Sequence, residues 1–392
     1  MNSAAAKKTG SRILPWSPRL WHGMTLSAWL ELLRANRFAV SPSRIPLAMS
    51  VSAVSLLNSL LAGAQAWFWN RRLAAVPLRS DPIFVVGHWR SGTTLLHELL
   101  ALDPRHSCAD TYACVAPSHF LLSRYLVPTW MGVLMPRRRP MDNVRIGWDQ
   151  PQEDEWALCL LGLPTVYRAI AFPRRLPQCP ESLALTRLPE PALRRWDATF
   201  LKFLKCVSLG QTHLRLVLKS PTHTARIAHL WKLFPRARFV HVVRDPLSVY
   251  PSSLRLWTSL ARDHGLQRPD AGEVRQFVLD TFMEMYDAFE SQRPMIPADQ
   301  ICDVHYERLV ADPVGQLRRV YQQLDLGDFD VARRRVEKRV RDMADFQVNQ
   351  HSLSDEQRRT VLSCWGSFCH RYGYGDGTAA PPPATATRRL AG

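Results

Sequence analysis

The sequence predicts an α/β protein, a parallel sheet flanked by helices and preceded by an N-terminal helical extension. Three observations carry that expectation. Short, almost wholly apolar runs recur at residues 83–87, 214–218, 239–243 and, less purely, 301–305. Strands that are apolar on both faces belong to a sheet covered on both sides. Helix-length stretches at 191–207, 222–234 and 272–291 lie between these runs, and alternation of strand with helix is the pattern of a parallel sheet. The first run ends in Gly87 and leads, through a short loop, into a helical pattern over 93–102. Ligands of such sheets sit beyond the carboxyl ends of the strands.

Taken in order, residues 1–11 are small and polar, with no apolar run close behind Lys7 and Lys8; they read as disordered, without a secretory signal. Residues 12–80 form the helical extension. Within it, 45–70 carries no charge at all, longer than the about 20 apolar residues a bilayer-crossing helix needs. Ser50, Ser52, Ser55, Asn58, Ser59 and Gln65 interrupt it, and Ser52, Ser55 and Ser59 fall on one helical face. Arg34, Arg37 and Arg44 before it and Arg71, Arg72 and Arg79 after it give no orientation signal. The reading is an amphipathic packing helix, with a membrane helix as the alternative. Residues 1–75 hold nine Lys/Arg against one Glu, net +8, which leaves peripheral contact with anionic lipid open. The main domain spans 81–375, with a basic helical patch at 327–341 and a last helix at 354–372. The Ala/Pro/Thr-rich tail, 376–392, reads as disordered.

The net charge of +17 over 392 residues favours anionic partners, although a decorated, solvated surface is the plainer account of part of it. Neither zinc spacing nor an aromatic-plus-basic RNA signature is present, so nucleic acid is not expected. Eight scattered cysteines without C-x-x-C suit a reducing compartment. The expected location is cytoplasmic, with peripheral membrane contact through the basic N-terminal region left open.

The loop Gly87-His88-Trp89-Arg90-Ser91-Gly92-Thr93-Thr94 almost matches the phosphate-binding pattern G-x-x-x-x-G-K-[ST], but Thr93 stands where the lysine belongs. A glycine-bounded turn entering a helix presents backbone N–H groups and the positive helix end to an anion. Arg90 supplies a cation from within the loop, and Ser91, Gly92, Thr93 and Thr94 complete the cradle. A second stretch, "RFVHVVRDPLSVYPSS", brings Arg244 out at a strand end, with Ser252 eight residues on in the following helix. An arginine fork and a hydroxyl can clamp another phosphate. Asp245 could hold magnesium in a nucleoside-triphosphatase, but beside Arg244 and Pro246 it is better read as a helix cap.

Together these stretches resemble the sulfotransferase superfamily: "RSGTT" its loop for the 5′-phosphosulfate, "VVRDPLSVYPSS" its 3′-phosphate segment. "LVLKSPTHTARIAHLWKLFPRARFVHVVRDP" between them is similar to the Lys-Ser-Pro version of bacterial and tyrosylprotein-type members, and "DVHYERLVADPVGQLRRVYQQLDL" resembles a later helix entry. The resemblance covers roughly 81–375 and implies a P-loop-like fold. It also implies 3′-phosphoadenosine 5′-phosphosulfate (PAPS) as co-substrate, no metal, and sulfonate transfer to an acceptor expected to be a hydroxyl. Such a donor has no γ-phosphate, so no loop lysine is required. Arg90 and Lys219 are then the groups expected to stabilise the leaving oxygen.

A hydroxyl acceptor also needs a base. Glu153, Asp154 and Glu155 in "QPQEDEW", Asp110, His97 and His223 are the candidates, with Glu153 or Glu155 favoured. Tyrosylprotein-type relatives have a glutamate after the first helix, where this chain has Asp110-Thr111-Tyr112, and acidic residues opening a helix also serve its dipole. Trp130, Trp148, Trp156, Tyr167 and Phe172 are spaced like core aromatics and carry no assignment. Carbohydrate, lipid and small hydroxyl compounds stay open as acceptors. A P-loop kinase or nucleoside-triphosphatase, and a non-enzymatic polyanion binder, are the competing readings.

Overall fold

Five parallel strands, β1 (Ile83–Val86), β2 (His106–Ser107), β3 (Arg215–Lys219), β4 (Arg238–Val243) and β5 (Ile301–His305), form one sheet in the order β2–β3–β1–β4–β5. The structure is a computed structural model and describes residues 18–124, 147–174, 181–343 and 353–374. The termini expected to be disordered, 1–11 and 376–392, and Trp130 lie outside the described residues.

Alternation along each strand builds two cores. On one face Phe84, Leu218 and Phe239 join a large cluster, with the Phe84 and Phe239 rings stacked 5.5 Å apart. On the other, Ile83, Val85, Val217, Val240 and Val304 pack against Leu96, Leu317 and Val336. Side chains of successive strand residues point to opposite faces, so a sheet buried on both sides needs the near-continuous apolar runs seen in the sequence. β2 is the exception. It is two residues long and begins with a histidine, so hydropathy does not mark it.

The expected helix at 222–234 is split. Residues Pro221–Arg226 form a tighter 3₁₀ turn, and the α-helix begins only at Ile227. Proline in the first turn and a fully buried run of polar side chains (Thr222, His223, Thr224, Arg226) explain the change. His223, Thr224 and Arg226 bond outward to other elements, described below.

The N-terminal helices α1 (Leu26–Ala35) and α2 (Ile45–Ala74) share the larger core through Trp29, Leu32 and Val51, with Trp21 of the preceding 3₁₀ turn Leu20–Gly23. α2 packs on the protein, but with its polar side. Trp29 Nε1 donates to Ser52 Oγ (2.9 Å), and the Leu26 amide donates to Ser59 Oγ (2.8 Å). Asn58 Nδ2 donates to the carbonyls of His22 and Met24 (2.6 and 2.9 Å). Gln65 donates to the Ser118 carbonyl (3.1 Å) and accepts from the Leu121 amide (2.8 Å). Its apolar side, with Met49, Leu56, Leu60 and Trp67, is exposed. The sequence pattern of an amphipathic helix is present and its orientation is inverted.

Candidate active site

The loop after β1 enters α3 (Thr93–Leu100) through Gly92, whose φ of 100° is left-handed and whose Cβ position would lie 2.2 Å from the Tyr306 ring. Only glycine fits there. Gly92 is also the N-cap of α3 and has no side chain with which to cap it, so the first-turn N–H groups need partners from elsewhere. Arg90 itself has a left-handed φ of 68°. At the loop's start the Gly87 amide donates to Thr224 Oγ1 (2.7 Å), tying the loop to the 3₁₀ turn after β3. Ser91 Oγ is buried with no hydrogen-bond partner among the described residues.

The second segment meets this loop. Arg90 Nε donates to Ser252 Oγ at 2.8 Å, and Arg244 donates to the Arg90 carbonyl at 3.0 Å. Arg244 also lies over the Tyr306 ring, its Cζ 4.1 Å from the centroid, a cation–π contact that helps to hold the guanidinium there. Ser252 projects from α5 (Pro246–His264), so two segments 154 residues apart share one corner. Asp245 is the N-cap of α5: its carboxylate accepts from the Leu247 amide (3.0 Å) and the Ser248 hydroxyl (2.9 Å). Both oxygens are thus used in capping.

Lys219 ends β3 and is 3% exposed; its Nζ donates to Glu153 Oε1 at 2.7 Å and lies 3.5 Å from Thr94 Oγ1 at the loop. The other Glu153 oxygen accepts a short hydrogen bond from the Tyr167 hydroxyl, which in turn accepts from Trp89 Nε1 (2.7 Å). Burial pushes the Tyr167 phenol well above its ordinary range, and Glu153 beside it pushes the same way. Tyr167 therefore stays neutral and donates. A closed chain results, Trp89 to Tyr167 to Glu153 to Lys219, alongside Thr94.

The neighbouring acids are used differently. Glu153 is the N-cap of α4 (Asp154–Leu160), and the two acids that follow it turn into the protein. Asp154 accepts from Ser220 Oγ (3.0 Å) and pairs with His223 Nε2 (2.6 Å). Burial pushes its carboxyl up, but His223 and Ser220 outweigh that and hold it below the ordinary range. Glu155 is fully buried and takes both forks of Arg226, at 2.7 and 3.0 Å. The structure thus groups Glu153, and not Glu155, with Lys219 and Thr94; two sequence steps turn a helical residue by about 200°. Asp110 caps a short helix earlier in the chain, Thr111–Val115, and pairs with Arg124. His97 bonds the Val217 carbonyl (3.2 Å), and burial pulls it down to about 3. His223 is fully buried against Asp154.

Three participants were not legible: Tyr167, Thr224 and Tyr306 reach the loop or Glu153 from 14 to more than 100 positions away. Only the "Y-E-x-L" of residues 306–309 carried a usable signal, and it pointed to a helix entry. Among the described residues no group of three or more His, Cys, Asp or Glu could hold a metal ion.

A model of the Sulfotransferase family matches residues 82–330. Omega-hydroxy-beta-dihydromenaquinone-9 sulfotransferase Stf3 of Mycobacterium tuberculosis, and the protein of the same name in Mycobacterium bovis, are each 42% identical over 371 residues, 95% of this chain and 95% of theirs. Two solved structures share the fold. Sulfotransferase STF9 from Mycobacterium avium has a TM-score of 0.62 at 18% identity, covering 90% of this chain and 97% of its own. Sulfotransferase STF1 from Mycobacterium tuberculosis has 0.59 at 20%, covering 87% and 91%.

Proposed function

The chain belongs to the sulfotransferase family and is an enzyme of sulfonate transfer; from that premise we propose PAPS as its donor and the hydroxyl of a menaquinone-type lipid as its acceptor. The observation that carries the reading is the buried Lys219–Glu153 pair beside Thr94, at the mouth of a glycine loop that lacks the P-loop lysine. The residues present fit the donor. Ser91 Oγ, buried without a partner among the described residues, and the N-terminus of α3, which no side chain caps, suit the 5′-phosphosulfate. Arg244 and Ser252 suit the 3′-phosphate.

In the proposed reaction Glu153 takes the acceptor's hydroxyl proton, and the acceptor oxygen bonds to sulfur as the sulfur–bridging oxygen bond breaks. The products are a sulfate ester and adenosine 3′,5′-bisphosphate. Lys219 and Arg90 offset the negative charge gathering on the departing oxygen, so positioning and electrostatics supply the catalysis. An anion in the loop competes with Glu153 for the Lys219 ammonium. Donor binding thereby draws Lys219 from the Glu153 carboxylate and leaves that carboxylate to the acceptor's proton. The kinase alternative loses support from Asp245, whose carboxylate caps α5.

The acceptor class rests on the relative at 42% identity, whose name gives a hydroxylated dihydromenaquinone. An acceptor of that kind resides in a bilayer, so the proposal includes peripheral membrane contact. A cytoplasmic location accords with the seven described cysteines, all free thiols. The test supplies radiolabelled PAPS with three acceptors: an omega-hydroxylated isoprenoid quinone, a simple sugar and a phenol. Label should enter the quinone. Label only in sugar or phenol would refute the acceptor class, and no transfer from PAPS to any acceptor by folded protein would refute the donor assignment.

A further inference from the structure

We propose that the outward face of α2 seats the protein on an anionic lipid surface, the helix lying in the membrane interface without crossing it. The exposed stripe runs through Ile45, Met49, Leu56, Leu60 and Trp67, with Ala53 and Gly63 completing the i, i+3, i+4 series. Leu60 is 67% exposed and Trp67 86%. From Ile45 to Phe68 the stripe extends about 36 Å at the ~1.5 Å rise of a helix, continuous and without a charge. Contiguous exposed apolar surface of this kind marks an interaction site.

Two observations select the occupant. The stripe is bounded by Arg34, Arg37 and Arg44 at one end and by Arg71 and Arg72 at the other, and no acidic residue lies between positions 34 and 72. Both ends therefore match anionic headgroups. A second copy of the chain, paired on this face in either direction, would set basic ends against basic ends. The aromatic pair Trp67 and Phe68 sits beside the basic end, the order expected at a headgroup boundary.

The opposite side of the helix determines how it lies. Asn58, Gln65, Ser52 and Ser59 are committed to hydrogen bonds with α1, the 3₁₀ turn before it and residues 118–121. Crossing the bilayer, although the length permits it, would break these bonds and carry the polar groups into hydrocarbon, where each unsatisfied group is costly. Lying flat keeps them and buries the stripe to the ~5–10 Å depth typical of interfacial helices. This inference deepens the lipid-acceptor reading by giving the enzyme a docking face, but its evidence is α2 itself.

The test is flotation of full-length protein with phosphatidylglycerol–phosphatidylcholine vesicles, without donor or acceptor. The wild type should float with these vesicles, and more weakly with phosphatidylcholine alone. Leu60→Glu/Trp67→Glu should lower the partition coefficient roughly a hundredfold, and Arg71→Gln/Arg72→Gln roughly tenfold on anionic vesicles only. Should the first double variant melt early, Met49→Ser/Leu57→Ser on the same face should give a smaller loss. Four results would overturn the proposal: no flotation of the wild type, unchanged flotation of the folded variants, resistance to alkaline carbonate extraction (a crossing helix), or a dimer that the same substitutions dissociate while vesicles have no effect. Because no chemistry is involved, failure here leaves the transfer reading standing. Conversely, failed transfer to a short-chain soluble acceptor leaves this one standing.

Discussion

The carboxyl edge of the sheet and helix α2 both bury polar groups where hydropathy alone would place apolar ones, but they differ in what those groups have left over. On α2, Asn58 and Gln65 spend their capacity on fixed carbonyls and amides. The result is architecture. At the edge, Ser91 Oγ has no partner among the described residues, and Lys219 divides one ammonium between Glu153 and Thr94. Unspent hydrogen-bonding capacity in a buried site is costly, and a ligand is what would repay it. Glu153 and Glu155 differ in what their partners reach: Lys219 also lies beside Thr94 at the loop, whereas Arg226 closes Glu155 into a fully buried pair.

That distinction predicts opposite outcomes for two adjacent substitutions. Glu153→Gln should lower kcat by about 10²–10⁴-fold, the range for loss of a general base, with a smaller loss of melting temperature than Glu155→Gln, because the amide oxygen still accepts from Lys219 and Glu153 is partly exposed. Glu155→Gln should do the reverse. It breaks a fully buried ion pair with Arg226, a change worth about 3–5 kcal/mol of stability, while the folded fraction keeps near-normal kcat. Steady-state kinetics and thermal unfolding of both variants check this; two stability mutants, or two kinetic ones, would erase the contrast.

A smaller effect tests the α2 side. Asn58→Leu leaves the His22 and Met24 carbonyls without their donor and should cost about 1–3 kcal/mol. Leu60→Ser, two residues on and exposed, should stay within about 0.5 kcal/mol. Denaturant unfolding of the soluble protein decides it. If the leucine substitution costs more, the helix packs the other way round.

How much was legible follows from where the partners sit. β1, β3, β4 and β5 announced themselves because burial on both faces demands apolar runs. β2 did not, since two residues beginning with histidine have no hydropathy signature. The loop from Gly87 to Thr94 and the pair Arg244 and Ser252 are local motifs, and the structure brings them to one corner. The choice between Glu153 and Glu155 was not local. It depends on Lys219 and Tyr167 on one side and Arg226 on the other, 66, 14 and 71 positions away. The orientation of α2 was hidden for the same reason. Periodicity shows that two faces exist, while the partners of Asn58 and Gln65 determine which one faces inward.

A glycine loop without its lysine, together with Arg244 and Ser252, should grip a nucleotide by two separated anionic groups. The melting temperature with adenosine 3′,5′-bisphosphate, in the absence of magnesium, tests it most directly. A ligand bound only by the native state at about 100 times its Kd adds about 2.7 kcal/mol. The bisphosphate should therefore raise the melting temperature clearly, and adenosine 5′-monophosphate less. Arg244→Ala should remove most of that difference, because the arginine fork on the 3′-phosphate is worth about 1.5–3 kcal/mol. Stabilisation by ATP with magnesium and none by the bisphosphate would contradict the account.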